Sequence, residues 1–151
     1  MPKDIKKMMA IIAAVIFFIG LDRFLKVFAL ANQIKGFNLL GDIFKFSYKS
    51  NYYIAFSLPF SGRPLTILIV LIIAALILFG LHYAKKLQIG GAAALFLIIL
   101  GASSNLYDRL KYGFVIDYFD LKYFTVFNLA DIMITAGAMG LILFIKDHKY
   151  E

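Results

Sequence analysis

The chain has 151 residues, 62% of them hydrophobic, with a mean hydropathy of +0.85, a net charge of +7 and no cysteine. That is far more apolar than the roughly 45–50% of a soluble domain, so a water-soluble fold is excluded and lipid is the expected solvent. The missing cysteine excludes disulfides, thiol nucleophiles and thiolate metal sites, and the scattered basic residues suit membrane anchoring and argue against nucleic acid.

Four stretches are long and apolar enough to cross a bilayer, which takes about 20 residues. They are expected at about 8–30, 65–83, 87–107 and 129–145, in a single domain over 1–151. The start, "MPKDIKKMMAIIAAVIFFIG", has the look of a signal peptide, with Ala29-Leu30-Ala31 mimicking a cleavage site. Asp22, Arg23 and Lys26 would then fall between the apolar region and that site, which is unusual, so a retained first helix is expected. Asp22 and Lys26 are spaced i, i+4 and can pair on one helix face. Either a structural ion pair or a substrate-facing role fits them.

The connection over 31–64 holds "DIFKFSYKSNYYIAFSLPF", aromatic and β-forming with partial alternation, and is expected to form short strands on the membrane surface. The segment "FVIDYFDLKYFTVF" at 114–127 reads the same way. Lys3, Lys6, Lys7, Lys85, Lys86, Lys146 and Lys149 crowd three short segments on one side of the bundle. The density of that cluster places both termini in the cytoplasm and both β-like connections outside. The fold class is an all-α membrane protein, a four-transmembrane-helix bundle with a small extracytoplasmic β element.

Within and beside spans, ionisable groups are costly and are functional suspects. Asp131 follows Asn128 by three residues at the start of the fourth span, which completes a capping box. Asp117 lies in the apolar run "FVIDYF", where no such local role is at hand. Asp120 and Lys122 alternate as a surface pair would. His82 and His148 stand beside lysines, away from the acids, so no metal site is expected. Two carboxylates held together share one proton, and such a pair can hydrolyse an amide without metal or cofactor. The helix start favours Asp131 as the ionised member.

Five segments in order, "LDRFLK" (21–26), "NYYIAFS" (51–57), "GASSNLYDRL" (101–110), "GFVIDYFD" (113–120) and "FNLADIMI" (127–134), resemble lipoprotein signal peptidase, the type II signal peptidase of aspartyl peptidase family A8. The resemblance covers essentially the whole chain. It implies that Asp117 and Asp131 are the catalytic pair. It further implies that Asn51, Asn105 and Arg109 meet the substrate or globomycin-type inhibitors, while Asp22, Lys26, Asp108 and Asn128 support the site. The implied substrate is a diacylglyceryl prolipoprotein, cut on the amino side of its lipobox cysteine near the outer face of the bacterial inner membrane. Membrane lipids are the other partner, a monomer is expected, and no cofactor is implied. Tyr53, Ile54, Leu100 and Ser104 depart from the small residues usual at those points, which bears on loop path and pocket width. The interval from 117 to 131 is also shorter than the family's, which implies a trimmed outer loop. A non-catalytic lipopeptide-binding or scaffold protein is the alternative; a transporter is disfavoured, because its site would lie near the midplane.

Overall fold

The structure is a computed structural model that describes residues 3–33, 36–53, 61–83 and 89–147. Lys85, Lys86, Lys149, His148 and Ile54, which figured in the expectations above, lie outside the described residues. The described residues form α1 (Lys3–Ala31), β1 (Phe37–Leu40), β2 (Phe44–Asn51), α2 (Gly62–His82), α3 (Ile89–Tyr112), β3 (Val115–Leu121), β4 (Val126–Phe127) and α4 (Leu129–Asp147). Each helix contains a stretch long and apolar enough to cross a membrane, and the 21 residues of α2 span about 31 Å at 1.5 Å per residue, the thickness of a hydrocarbon core. The side chains of α2 are mostly exposed aliphatics, as suits a surface solvated by lipid.

The expected spans are matched in number and order, but α3 runs on past 107 to Tyr112. Asp108 and Arg109 therefore sit inside the helix and do not close it. Asp108 turns inward to cations, and Arg109 and Lys111 occupy the last turn, where positive charge favours the helix dipole. The helix stops at Gly113, whose φ of +82° permits the left-handed cap in which its N–H donates to the Arg109 carbonyl at 3.0 Å.

Helix α3 packs most extensively on α4, and that contact depends on small residues. A Cβ on Gly101 would lie 2.7 Å from the Ala130 carbonyl oxygen, and one on Gly137 would lie 2.6 Å from the Ala94 carbonyl oxygen. In lipid, where apolar side chains gain nothing by leaving the solvent, such close backbone approach is a main source of helix association.

The strands form one antiparallel sheet in the order β1-β2-β3-β4. Phe46 of β2 pairs with Phe119 of β3, which pairs in turn with Phe127 of β4. Between Phe46 and Lys49 the β2–β3 register shifts, so that Lys49 faces Asp117 and Asn51 faces Val115. The sheet is fixed to the bundle through a buried cluster of Ala29 from α1, Phe46 from β2, and Ile116 and Tyr118 from β3. It thus crosses the end of the bundle where α1 finishes and α4 begins.

Gly137→Ala is expected to lower stability by about 1–3 kcal/mol, because the added methyl meets backbone on the facing helix. Gly20→Ala, with nothing within 4 Å of the new atom, is expected to be neutral or mildly stabilising, and thermal unfolding of both variants in detergent micelles checks the contrast.

Candidate active site

Four charged groups form a closed network between α1 and α3. Asp22 and Lys26, four residues apart on α1, are wholly buried and their charged atoms are 3.3 Å apart. Lys26 Nζ also lies 2.8 Å from Asp108 Oδ2 and donates to Asn105 Oδ1 at 2.7 Å. All three ammonium protons thereby have partners. The other Asp108 oxygen takes Arg23 at 2.6 Å, and that guanidinium lies over the Tyr107 ring at 4.6 Å. Two cations meet two anions, so the cluster is neutral, the condition under which buried charge is tolerable. Asp22 and Lys26 are thus paired with each other and with groups of α3.

Asp22 extends this network into α4. Its Oδ1 accepts the Ala130 backbone N–H at 3.1 Å and the Tyr118 hydroxyl at 3.0 Å, while its Oδ2 accepts Ser104 Oγ at 2.6 Å. The Tyr118 oxygen accepts the Leu129 N–H at 3.0 Å. Burial, then the Asp22 charge, push the Tyr118 phenol far above its ordinary value, so it remains a proton donor to that carboxylate. Asn128 Oδ1 accepts the Asp131 N–H at 2.9 Å, and Asp131 Oδ2 accepts the Asn128 N–H at 3.1 Å. The capping box is therefore fully reciprocal, and the first three amides of α4, unsatisfied in a bare helix, all have acceptors.

The two suspect carboxylates meet at Asn128. Its Nδ2 donates to Asp117 Oδ1 at 2.7 Å while its backbone N–H holds Asp131. Asn51 Nδ2 donates to Asp117 Oδ2 at 2.9 Å, and Asn105 Nδ2 donates to Asp131 Oδ1 at 2.8 Å. Each of the four carboxylate oxygens thus accepts one N–H. The amide of Asn105 is oriented by Lys26, which occupies its oxygen and leaves its nitrogen for Asp131. Asp117 is buried on β3, and burial and then the Asp131 charge raise its carboxyl against the opposing Asn51 and Asn128 amides, to about 7. Near neutral pH this carboxyl is poised between its two forms, as an acid catalyst requires.

Arg109 reaches the end of β2, where its guanidinium donates to the Tyr53 carbonyl at 2.7 Å and the Tyr52 carbonyl at 3.4 Å. The Tyr53 N–H in turn donates to Asn51 Oδ1 at 3.1 Å. Of the nine residues singled out from the sequence, eight lie in the joined network of Asp22, Lys26, Asn51, Asn105, Asp108, Asp117, Asn128 and Asp131. Arg109 borders it through the Tyr53 backbone. Ser104, read as a departure, donates to Asp22. Tyr118 went unremarked, although its place beside Asp117 on a strand turns it to the opposite face, toward the bundle. Asp120 is half-buried and accepts Ser47 Oγ at 3.3 Å, and Lys122 lies over the Tyr123 ring at 5.3 Å, so these two have other partners than each other.

Fold and site together define a multi-pass membrane protein with two acids fixed, through one asparagine, at the sheet end of its helices. Residues 12–146 match the family model described as Signal peptidase (SPase) II. A relative named lipoprotein signal peptidase from Clostridioides difficile is 34% identical over 143 residues, 91% of this chain and 95% of that protein. Another, from Halothermothrix orenii, is 38% identical over 109 residues, 71% and 73% of the two. Two solved bacterial membrane enzymes share the fold, with TM-scores of 0.77 and 0.73 at 24% and 25% identity. They cover 93% and 90% of this chain and 89% and 92% of their own. The chain therefore belongs to the signal peptidase II family, and it is a peptidase of the aspartic class.

Removing Lys26 would strand Asp22 and Asp108. Lys26→Met is expected to cost about 3–5 kcal/mol of stability, seen as a fall in the unfolding midpoint. Adding Asp108→Asn should return part of that loss, and additivity of the two would contradict the pairing.

Proposed function

We propose that the protein is an intramembrane aspartyl endopeptidase that removes the signal peptide from diacylglyceryl-modified prolipoproteins, cutting on the amino side of the lipobox cysteine. The observation that carries this reading is Asn128, which binds both carboxylates at once and so fixes Asp117 and Asp131 as a pair. The relatives' name, lipoprotein signal peptidase, supports the substrate class.

In the reaction, the Asp131 carboxylate takes a proton from water as the water oxygen attacks the scissile carbonyl carbon. The Asp117 carboxylic acid gives its proton to the carbonyl oxygen, yielding a neutral tetrahedral diol. Asp131 then passes its proton to the leaving nitrogen, the C–N bond breaks, and Asp117 recovers a proton from the collapsing diol. The products are a signal-peptide carboxylic acid and the free amine of the lipidated cysteine, and both aspartates return to their starting forms. The assignment of base to Asp131 follows from its place in the first turn of α4, where the dipole and the capping amide favour an anion. In this reading Asn51, Asn105 and Arg109 meet the substrate, and globomycin-type inhibitors would compete there. Asp22, Lys26 and Asp108 act through the residues they hold.

Lys6 and Lys7 at the start of α1 and Lys146 at the end of α4 are on the side away from the sheet. That charge supports cytoplasmic termini and an active site near the outer face of the bacterial inner membrane.

Asp117→Asn and Asp131→Asn are each expected to abolish cleavage of a diacylglyceryl prolipoprotein while the purified protein keeps its helical content. Wild-type cleavage should stop on addition of globomycin. Turnover near the wild-type rate by either variant would overturn the pairing.

A further inference from the structure

In the proposed cycle Asp117 gives up and recovers a proton while Asp131 takes one and returns it. The hydrogen bonds that Asn128 makes to the two carboxylates therefore strengthen and weaken with each step, since a bond to an ionised oxygen is roughly twice as strong as one to a neutral oxygen. A constant separation of the acids needs a tie that takes no part in the proton transfers.

Tyr118 is placed to be that tie. It follows Asp117 on β3, and successive strand side chains point to opposite faces, so its ring turns away from the pair and into the bundle. The ring is wholly buried, packs with Ala29, Phe46 and Ile116, and stacks on Phe46 at 5.4 Å. That packing aims the hydroxyl. It donates to Asp22 Oδ1 at 3.0 Å and accepts the Leu129 N–H at 3.0 Å. One oxygen thus joins the strand that carries Asp117 to the helical turn that carries Asp131, and fastens both to α1. The Ala130 N–H reaches the same Asp22 oxygen at 3.1 Å, so α4 is held at two successive amides.

None of these partners exchanges a proton in the cycle. Asp22 is paired with Lys26 at 3.3 Å, Leu129 offers a backbone amide, and burial together with the Asp22 charge holds the phenol proton. A phenylalanine would fill the same space and keep the ring contacts, but it would leave the Leu129 amide without its acceptor and Asp22 short of one donor. The hydroxyl, and not the ring, makes the connection.

We infer that Tyr118 is a positioning residue for the reaction: through its hydroxyl it locks the start of α4 to β3 and holds the Asp117 and Asp131 carboxylates at their working separation throughout turnover. This role rests on the hydrolytic reading and adds to it what keeps the pair in register.

Tyr118→Phe deletes one oxygen atom. Cleavage of a diacylglyceryl prolipoprotein is measured for this variant, the wild type, Asp117→Asn and Gly137→Ala, whose added methyl strains the α3–α4 contact further along α4 than Asp131. Rates are expressed per folded enzyme, judged from helical content in detergent micelles. For Tyr118→Phe we expect kcat to fall about ten- to a hundredfold, as a misplacement of up to about 1 Å between reacting groups can cause, with KM within about twofold of the wild type. Burial and the Asp131 charge raise the Asp117 carboxyl, and a loosened pair weakens both, so the alkaline limb of the pH profile should move to lower pH. The other charges around Asp117, Lys26 from α1, Arg109 from α3 and Lys49 opposite it on β2, are the same in both proteins. Gly137→Ala should lower the unfolding midpoint and leave kcat near the wild-type value. A Tyr118→Phe kcat within about twofold of the wild type, or an equal loss in Gly137→Ala, would overturn the positioning role while leaving the peptidase reading intact. A wild type that does not cleave, or an Asp117→Asn variant that does, would overturn that reading and this role with it.

Discussion

The site depends on one ammonium group. Lys26, without exposed surface, stands between Asp22 and Asp108 and uses its third proton on Asn105. From that point the contacts run to both paired acids: through Asn105 to Asp131, and through Asn105 and Asn128 to Asp117. Through Asp22 they run to the first amides of α4 and the hydroxyl of Tyr118. A buried ion cluster is weak support for stability, since well-packed apolar residues would often serve as well. What it supplies is a fixed orientation. An aliphatic residue at 26 could not choose which end of the Asn105 amide faces Asp131.

The two carboxylates have the same number of hydrogen-bond donors but stand in different settings. Asp117 comes from a buried strand, and its two amide donors are outweighed by burial and the neighbouring charge, so its proton is retained near neutrality. Asp131 comes from the first turn of a helix, half-buried, with its backbone capped by Asn128. The different roles proposed for two chemically identical groups rest on a strand on one side and a helix start on the other. The bundle makes this possible by bringing α3 and α4 into backbone contact at Gly101, beside Ala130, one residue before the acid.

Much of this was legible in the sequence because membranes impose simple rules. The number and order of the spans, the i, i+4 pair at Asp22 and Lys26, and the capping box at Asn128 and Asp131 are local signals, and the structure follows each. The end of α3 lies beyond the apolar span expected from the sequence, because Asp108 is neutralised inward by Arg23 and Lys26 and the helix continues. The functions of Ser104 and Tyr118 were not legible, because both act on Asp22 across more than eighty residues of chain. The register shift in β2 that brings Asn51 to Asp117 is likewise a property of pairing, and no single strand encodes it.

The central claim is that the pair works with Asp117 protonated. It is tested most directly by kcat/KM against pH, for the wild type and for Asn51→Ala, with a diacylglyceryl prolipoprotein. Activity that needs the acid form of Asp117 should fall as pH rises through about 7. The Asn51 amide favours the ionised form, so its removal should move that alkaline limb to higher pH. A wild-type rate that stays flat through this range, or a limb unmoved by Asn51→Ala, would contradict the assignment.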